Sequence, residues 1–280
     1  MPRALPYLLL LPATLFLAVF FLYPFVLVAI ESVTRDGAWT GDNFQRMATH
    51  WKFPAALRNT LLLAAIVVPI QLAIALSMAT IVTKLENGRG AILYIFAIPL
   101  GISDLAAGLI WLAIFEQSGF LNSMLSGLGV IHEPILYLGY QTPVIIFIAI
   151  VLAEIWRATA IMMVILVAGM GLIPKEYGEA AEVFGASRWQ RFIKVTLPML
   201  KPSLQTALIL RVILAFEVFA IVQALGGTNF PVLMSETFQW EFVLQDRGVA
   251  AAYAMVILAI SILFTLLIMR LLHIPKGARV

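Results

Sequence analysis

The sequence predicts an all-α membrane protein that crosses the bilayer six times. Of its 280 residues, 62% are hydrophobic and 12% are charged, and the mean hydropathy is +1.00. Soluble domains are about half apolar and about a quarter charged, so this composition indicates a membrane protein. A helix that crosses the hydrocarbon core needs roughly 20 apolar residues. Six stretches meet this requirement, at about 7–30, 60–83, 91–115, 143–170, 204–225 and 249–272.

The whole chain, 1–280, is predicted to be a single transmembrane domain. Its first apolar run is longer than the h-region of a signal peptide, and no small-residue cleavage site ends it. There are no cysteines, which excludes disulfides and thiolate chemistry. The three histidines fall outside the apolar runs, and neither a metalloprotease motif nor a phosphate-binding P-loop occurs. We therefore expect no catalytic residue, no metal and no cofactor.

The distribution of Lys and Arg predicts which side of the membrane each loop occupies. Cytoplasmic loops carry an excess of these residues. Five lie on one side, in the loops 31–58 and 226–248, and eleven on the other. Both termini and the polar loop 171–203 between spans four and five are therefore predicted to be cytoplasmic. The eleven cations are Arg3, Lys84, Arg89, Lys175, Arg188, Arg191, Lys194, Lys201, Arg270, Lys276 and Arg279.

Five ionisable side chains fall inside the predicted spans: Asp104, Glu154, Arg157, Arg211 and Glu217. Charged groups at this depth normally face the bundle interior or a wet cavity. Glu154 and Arg157 are three residues apart and can meet on one helix face. Arg211 and Glu217 are about 240° apart around their helix, so each needs a partner on another helix. A structural ion pair and a position in a translocation pathway remain alternative interpretations.

The third span contains two further candidate features. Asp104 follows the sequence Pro99-Leu-Gly-Ile-Ser, which is expected to kink or open the helix. Trp111 lies near the end of this span, where an aromatic side chain either anchors the helix at the interface or stacks on a sugar. Aromatic residues in the loops 31–58 and 226–248 have the same two interpretations, as interfacial anchors or as a docking surface for an external protein.

The polar loop is predicted to contain two short helices. Pro174 suits the first position of a helix. Gly185 can end that helix in a left-handed conformation. Ser187 then caps a second helix, with Gln190 closing a capping box. Pro198 and a further proline four residues later are expected to end it. The loop is either a contact surface for a partner or an amphipathic element on the membrane.

The loop also carries a spaced motif that identifies a family. Its residues are Glu179-Ala180-Ala181, then Gly185 after three residues, then Val195-Thr196-Leu197-Pro198 after nine more. This motif resembles the EAA loop of the permeases of ABC importers, with Val195 in place of the usual isoleucine. The segment 185–192 is most similar to the carbohydrate-uptake branch, the maltose-transporter-like permeases. The resemblance extends over nearly the whole chain, including the order of the six spans.

The resemblance implies a type I importer fold, with a coupling helix seated in a cleft of a cytoplasmic ATPase. Glu179 would meet a basic residue of the ATPase, and Gly185 would allow the turn after the helix. The implied partners are two ATPase subunits, a second related permease chain, an external substrate-binding protein and a carbohydrate, in the inner membrane of a prokaryote. The residues implied in coupling are Glu179, Ala180, Ala181, Gly185, Arg188, Leu197 and Pro198.

The sequence is compatible with three alternatives to a sugar permease. The first is a permease for a sugar phosphate or polyol phosphate such as glycerol 3-phosphate, because Arg157 and Arg211 are compatible with an anion. The second is a proton-coupled secondary transporter that uses Asp104, Glu154 and Glu217. The third is an intramembrane enzyme, which is disfavoured because Asp104 lacks a second catalytic aspartate motif. The chain has no P-loop, so ATP hydrolysis is assigned to a separate subunit.

Overall fold

A computed structural model describes residues 5–85 and 87–273 of the chain. Of the eleven predicted cytoplasmic cations, Arg3, Lys276 and Arg279 lie outside these residues. The described chain is mostly helical, with five helices long and apolar enough to cross a membrane, or six if one pair bent by 70° counts as one span. The five are Leu8–Ser32, Phe53–Val82, Asp104–Gly127, Pro143–Gly171 and Arg247–Leu271. The predicted all-α, multi-span class is therefore confirmed.

The chain divides into two compact units, and the first contains the residues up to Pro54 together with Leu233–Ala259. A short hairpin pairs β1 (Thr34–Arg35) with β2 (Ala38–Trp39). The first helix is exposed along most of its apolar length, with exposed fractions of 72% at Leu9 and 63% at Phe20. The helical segments of this unit are Leu5–Leu17, Ala18–Leu22, Tyr23–Ser32, Asp42–Thr49, Leu233–Phe238, Gln239–Val243 and the first part of Arg247–Leu271.

The second unit contains Ala55–Val232 and the chain from Ile260 onward. The helix Pro143–Gly171 contributes more buried residues than any other described helix of this unit, and its Ile146, Ile150 and Met162 are fully buried. Its other helical segments are the main part of Phe53–Val82, Arg89–Ala97, Ile98–Gly101, Asp104–Phe115, Phe120–Gly127, Lys175–Val183, Arg188–Arg191, Phe192–Thr196, Leu197–Met199, Lys201–Phe216, Ala220–Leu225, Gly227–Asn229 and the last part of Arg247–Leu271.

Two of the predicted spans are interrupted in the structure. The third is broken between Gly101, where a 3₁₀ turn ends, and Asp104, where a new helix begins. Ser103 caps this helix by accepting a hydrogen bond from the Ala106 N–H, which satisfies one of the free donors at its start. The fifth predicted span breaks after Phe216, at the residues 217–219. Both interruptions end helical hydrogen bonding in the middle of an apolar stretch.

Small residues bring two helices of the second unit close together. A Cβ atom added at Gly169, on Pro143–Gly171, would lie 2.1 Å from Oγ and 2.5 Å from Cβ of Ser203, on Lys201–Phe216. Such contact requires glycine, as in other close pairs of membrane helices. Further from the polar loop, the buried Leu166 and Leu204 belong to the same apolar cluster. The two helices are thus packed tightly just above the polar loop that joins them.

Candidate functional site

The polar loop begins with a nine-residue helix, Lys175–Val183, that ends at a left-handed glycine. Gly185 has φ +79°, as predicted from its position. The Gly185 N–H donates to the carbonyl of Glu182 at 2.8 Å, and the Ala186 N–H donates to that of Ala181 at 2.9 Å. These bonds form the Schellman arrangement that satisfies carbonyls at a helix end. Pro174 directly precedes the first helical residue, so the helix begins one residue later than predicted.

The second loop helix starts with the predicted capping box. The Ser187 side chain accepts from the Gln190 N–H at 3.3 Å, and the Gln190 side chain accepts from the Ser187 N–H at 2.8 Å. An ion pair between Arg191 and Glu182 links the two loop helices. As predicted, this helical segment ends between Pro198 and the proline four residues later: after a wider π-turn over Phe192–Thr196, its backbone stays helical only as far as Met199. The 70° bend comes after that residue.

The loop exposes apolar side chains that no other described residue covers. Val183 is 86% exposed and Phe184 is 90% exposed, at the end of the first loop helix. Trp189, on the second loop helix, is 68% exposed and stacks against Phe192 at 5.7 Å between ring centroids. Glu179 and Ala180 are exposed on the first helix, and Ala181 is half-buried. The two alanines have small side chains, so a partner could approach the backbone of this helix closely. Arg188 and Pro198 are exposed and Leu197 is half-buried.

A charged network lies inside the helices of the second unit. Nη2 of Arg211 donates to Oε2 of Glu154 at 2.6 Å, and both side chains are 1% exposed. Nε of Arg211 donates to Oε1 of Gln71 at 2.5 Å, and Nε2 of Gln71 donates to the backbone carbonyl of Glu154 at 2.7 Å. Three helices, carrying residues 71, 154 and 211, are therefore joined by one set of polar contacts.

The network reaches the surface through Asp104 and Arg157. Nη1 of Arg157 lies 2.7 Å from Oδ1 of Asp104, whose side chain is 46% exposed. Nη2 of Arg157 lies 3.9 Å from Oε1 of Glu154. Two carboxylates and two guanidinium groups thus balance each other's charge, as buried ions require. The predicted contact between Glu154 and Arg157 exists, but each of them has a closer partner on another helix.

Three buried polar atoms of the network make no hydrogen bond within the described residues. They are Oε1 of Glu154, Nε of Arg157 and Nη1 of Arg211. Buried polar atoms in proteins are normally paired with protein or ordered water, so these atoms mark positions where a water or a ligand hydroxyl would bind. Among the described residues, no group of three His, Asp or Glu side chains is arranged to hold a metal ion.

Aromatic side chains continue from the network along the helix Asp104–Phe115. Trp111 stacks on Phe115 at 5.7 Å between ring centroids and contacts Trp156 edge to face at 6.2 Å. Trp156 is 37% exposed and directly precedes Arg157 in the chain. The aromatic row therefore begins beside the charged network. Trp111 itself packs against the buried core.

The structure brings four of the predicted intramembrane charges together and leaves one apart. Glu217 is exposed at the end of Lys201–Phe216 and makes no ion pair with any described residue. The helix break separates it from Arg211. Gln71 is the member of the network that the sequence interpretation missed. A neutral amide within an apolar run is costly to bury without a partner, and this was the available signal.

The first unit contains a separate polar cluster around Glu236. This carboxylate is 3% exposed and lies 3.8 Å from Nζ of Lys52 and 3.8 Å from Nδ1 of His50. Burial raises the pKa of Glu236, and the charge of Lys52 offsets only part of that effect. Burial lowers the pKa of His50, and the same lysine lowers it further. Trp240 contacts the imidazole ring edge to face at 5.2 Å.

A second cluster in the first unit is centred on Asp246. Its Oδ2 lies 2.5 Å from Nη1 of Arg46 and 3.2 Å from Nη2 of Arg35. Burial alone would raise the pKa of Asp246, but the Val249 N–H and the two arginines outweigh it and lower the pKa. The fully buried Asn43 donates to the backbone at 3.0 Å and 3.1 Å and accepts from Arg35 at 3.1 Å. These contacts hold the hairpin and the short helix Asp42–Thr49 together.

The helical architecture and the apolar spans define a multi-span membrane protein. Residues 1–273 match the model of one family, described as binding-protein-dependent transport system inner membrane component. The chain belongs to this family. The prediction that it is a membrane transporter subunit and not an enzyme is thereby confirmed.

Individual relatives agree with this assignment. The chain is 31% identical over 280 residues to the trehalose/maltose transport system permease protein MalF of Thermococcus litoralis, covering 95% of this chain and 92% of the relative. It is 26% identical over 277 residues to the sn-glycerol-3-phosphate transport system permease protein UgpA of Agrobacterium fabrum, covering 94% and 92%.

The fold is similar to that of a solved transporter. A chain in the crystal structure of a bacterial ABC transporter involved in the import of the acidic polysaccharide alginate superposes with a TM-score of 0.83. The match covers 97% of this chain and 96% of that one at 21% sequence identity, so it supports the fold.

Proposed function

We propose that the chain is the transmembrane permease subunit of an ATP-driven ABC importer that carries a sugar or oligosaccharide. Family membership supports a binding-protein-dependent transporter. The trehalose/maltose relative and the alginate transporter support a carbohydrate substrate. The observation that carries the proposal is the loop 171–203, where the family motif coincides with a capped helix and a left-handed glycine.

The helix Lys175–Val183 is the proposed coupling helix. Its exposed end presents Val183 and Phe184, which need a hydrophobic partner surface. Glu179 offers a carboxylate to a basic residue of an ATPase, and the small Ala180 and Ala181 let the partner approach closely. Two ATPase subunits that close on ATP would push this helix, and the spans attached to it would move.

The second loop helix would carry that movement to the membrane. Arg191 ties it to the first loop helix through Glu182. Its continuation through Leu197 and Pro198 leads to the 70° bend and the helix Lys201–Phe216. Arg188 lies at its start, beside the capping Ser187. A displacement of the coupling helix would therefore act on the helix that carries Arg211.

The charged network is the proposed polar part of the translocation pathway. Asp104 is its exposed end, and Glu154, Arg157 and Arg211 form its buried part. The three unpaired polar atoms would accept and donate hydrogen bonds to sugar hydroxyl groups. Trp111 would stack on the apolar face of a sugar ring. Glu217 lies exposed at a helix break and is a further candidate for this pathway.

The proposed assembly contains partners on both sides of a prokaryotic inner membrane. The loop 171–203 and both termini would face the cytoplasm, where the ATPase subunits bind. A second, related permease chain would cover apolar surface such as the exposed first helix, and it would complete the pathway. The family is binding-protein-dependent, which supports an external substrate-binding protein that docks on the loops of the opposite side. The whole chain, 1–280, would act as a single permease domain.

A sugar phosphate or polyol phosphate is the second candidate substrate. The glycerol-3-phosphate relative favours it. The structure offers no uncompensated cation for the phosphate in the described network, because Arg157 and Arg211 are both paired with carboxylates. A phosphate would have to displace those carboxylates, whereas a neutral sugar would need only the unpaired atoms.

Reconstitution into proteoliposomes tests the proposal. The chain with its partner permease, ATPase and binding protein should accumulate labelled trehalose or maltose only when ATP is supplied. The matched control is the same assembly with an ATPase subunit inactivated in its P-loop. Uptake driven by a proton gradient without ATP would overturn the proposal in favour of a secondary transporter. ATP-driven uptake of glycerol 3-phosphate without uptake of sugars would select the phosphate alternative.

A further inference from the structure

A pocket of about 550 Å³ lies between the polar loop and the adjoining helix ends of the second unit. Part of its lining is apolar and includes Met170, Ile173 and Phe192. Lys84, beyond the end of Phe53–Val82, and Lys175, at the start of the first loop helix, also line it. The lining therefore combines apolar side chains with basic groups contributed by separate elements.

The pocket is lined by four cations and a single carboxylate. The cations are Lys84, Lys175, Arg188 and Arg191, and the carboxylate is Glu179. Arg191 is paired with a carboxylate outside the pocket lining. The other three cations make no ion pair with any carboxylate among the described residues. An excess of positive charge without a protein partner favours an anionic ligand.

The position of the pocket in the chain indicates the depth at which this ligand binds. One apolar helix ends at Val82 and another at Gly171, and each is followed within two or three residues by a side chain of the pocket. Val195 and Thr196 line it just before the helix that begins at Lys201. Residues immediately beyond the ends of membrane spans lie at the level of the lipid headgroups.

We propose that this pocket binds the phosphate headgroup of an anionic phospholipid, with Lys84, Lys175 and Arg188 around the phosphate and the acyl chains leaving over the apolar side chains of the lining. Basic pockets between helices at the cytoplasmic surface bind anionic headgroups in this way. The proposal rests on the proposed topology only for the choice of leaflet. Val183 and Phe184 do not line the pocket, but Glu179 and Arg188 do, so a bound lipid would lie directly beside the proposed ATPase contact.

A bound lipid would connect two parts of the chain that no ion pair joins in the described structure. Lys84 belongs to the end of one span, and Lys175 and Arg188 belong to the two loop helices. A phosphate that contacts all three would hold the loop against the span. The loop would then be more resistant to thermal unfolding and to proteolysis in membranes that contain anionic lipid.

The test compares two double variants of the full-length protein that lose the same charge. Lys84→Gln with Lys175→Gln removes two lysines of the pocket. Lys194→Gln with Lys201→Gln removes two exposed lysines of the same region that do not line it. Native mass spectrometry measures retention of phosphatidylglycerol and of phosphatidylcholine, and size-exclusion chromatography confirms that each variant is folded.

We expect the pocket variant to retain phosphatidylglycerol roughly ten- to thirty-fold less well than the wild type, because each lysine near a charged headgroup contributes measurably. The control variant should bind it like the wild type. Equal losses in both variants, or equal retention of phosphatidylcholine by the wild type, would overturn the proposal.

A second arm distinguishes a lipid from a soluble anion. Inorganic phosphate is added to the delipidated protein, and the thermal midpoint is compared with that after addition of phosphatidylglycerol. A rise with the lipid alone supports the proposal, whereas the same rise with inorganic phosphate would assign the pocket to a soluble anion. Neither measurement depends on transport, so failure of the proposed transport function would leave this result interpretable.

Discussion

Arg211 and Glu154 form an ion pair of 2.6 Å in which both side chains are 1% exposed. Neither group can be hydrated from outside, so each depends on the other for its charge to be tolerated. Gln71 extends the pair by accepting from Arg211 and donating to the backbone beside Glu154. The pair therefore joins three helices at a depth where isolated charges are strongly unfavourable.

The first prediction concerns the coupling between these two residues. Arg211→Met or Glu154→Leu alone should lower the free energy of unfolding by about 3–5 kcal/mol, because the remaining charge is buried without its partner. The double variant should be more stable than either single variant. Denaturation in mixed micelles measures all three. Arg247→Met is the control, since it removes an exposed pair with Glu241 and should cost no more than about 1 kcal/mol. Additive losses in the double variant would contradict the prediction.

The second prediction concerns the glycine of the polar loop. A Cβ at Gly185 would meet no atom within 4 Å, so only its left-handed backbone excludes larger residues. Gly185→Val should strain the turn by about 1–2 kcal/mol, reduce ATP-driven uptake and leave membrane insertion intact. Gly185→Asn should keep substantial activity, because asparagine tolerates this conformation. Normal uptake by the valine variant would argue against a coupling role for the loop.

The third prediction concerns the close approach of two helices. Gly169→Ala should destabilise the protein by about 1–3 kcal/mol, because the new methyl group would overlap Ser203. Adding Ser203→Gly should restore much of the loss. Gly171→Ala is the matched control in the same helix, since its Cβ would meet nothing within 4 Å. Thermal unfolding of the wild type and the three variants measures these differences. If Ser203→Gly does not restore stability, the loss in Gly169→Ala does not come from overlap with Ser203.

The fourth prediction concerns the pH dependence that Glu236 confers. Burial raises its pKa above the ordinary 4.5, so the folded protein binds this proton more tightly than the unfolded chain does. The resulting stabilisation is present below the unfolded pKa and is lost as the pH rises through the folded pKa. Glu236→Gln should therefore remove a loss of stability that begins above about pH 4.5.

His50 acts in the opposite direction, because its pKa is lowered on folding. Its contribution increases as the pH rises towards 6.5 and should persist in the Glu236→Gln variant. Thermal midpoints measured across this range separate the two effects. Glu241→Gln is the control, since it changes a carboxylate of the same unit that is only half-buried. Parallel profiles for the wild type and Glu236→Gln would refute the assignment.

Local chemistry in the sequence predicted the polar loop closely. The left-handed Gly185 and the capping box of Ser187 and Gln190 follow from interactions between near neighbours, which a sequence displays directly. The π-turn over Phe192–Thr196 was not predicted. Such a turn depends on how the segment packs and leaves no comparable local signal.

The intramembrane charges show where sequence reasoning reaches its limit. Spacing predicted that Glu154 and Arg157 would meet, but it could not show that each prefers a partner on another helix. Gln71 is 83 residues from Glu154, so only the packed helices bring them together. The cost of burying charge predicted that these residues would be paired, whereas the choice of partners required the three-dimensional arrangement.

The exposed end of the first loop helix has a consequence for how such a subunit is produced. Val183 and Phe184 are exposed to solvent unless a partner covers them. A chain made in excess of the proposed ATPase would leave these apolar side chains exposed at the membrane surface. Chaperones and proteases recognise exposed apolar side chains in unassembled proteins. Balanced synthesis of the subunits would then be required because of the exposed end of this proposed coupling helix.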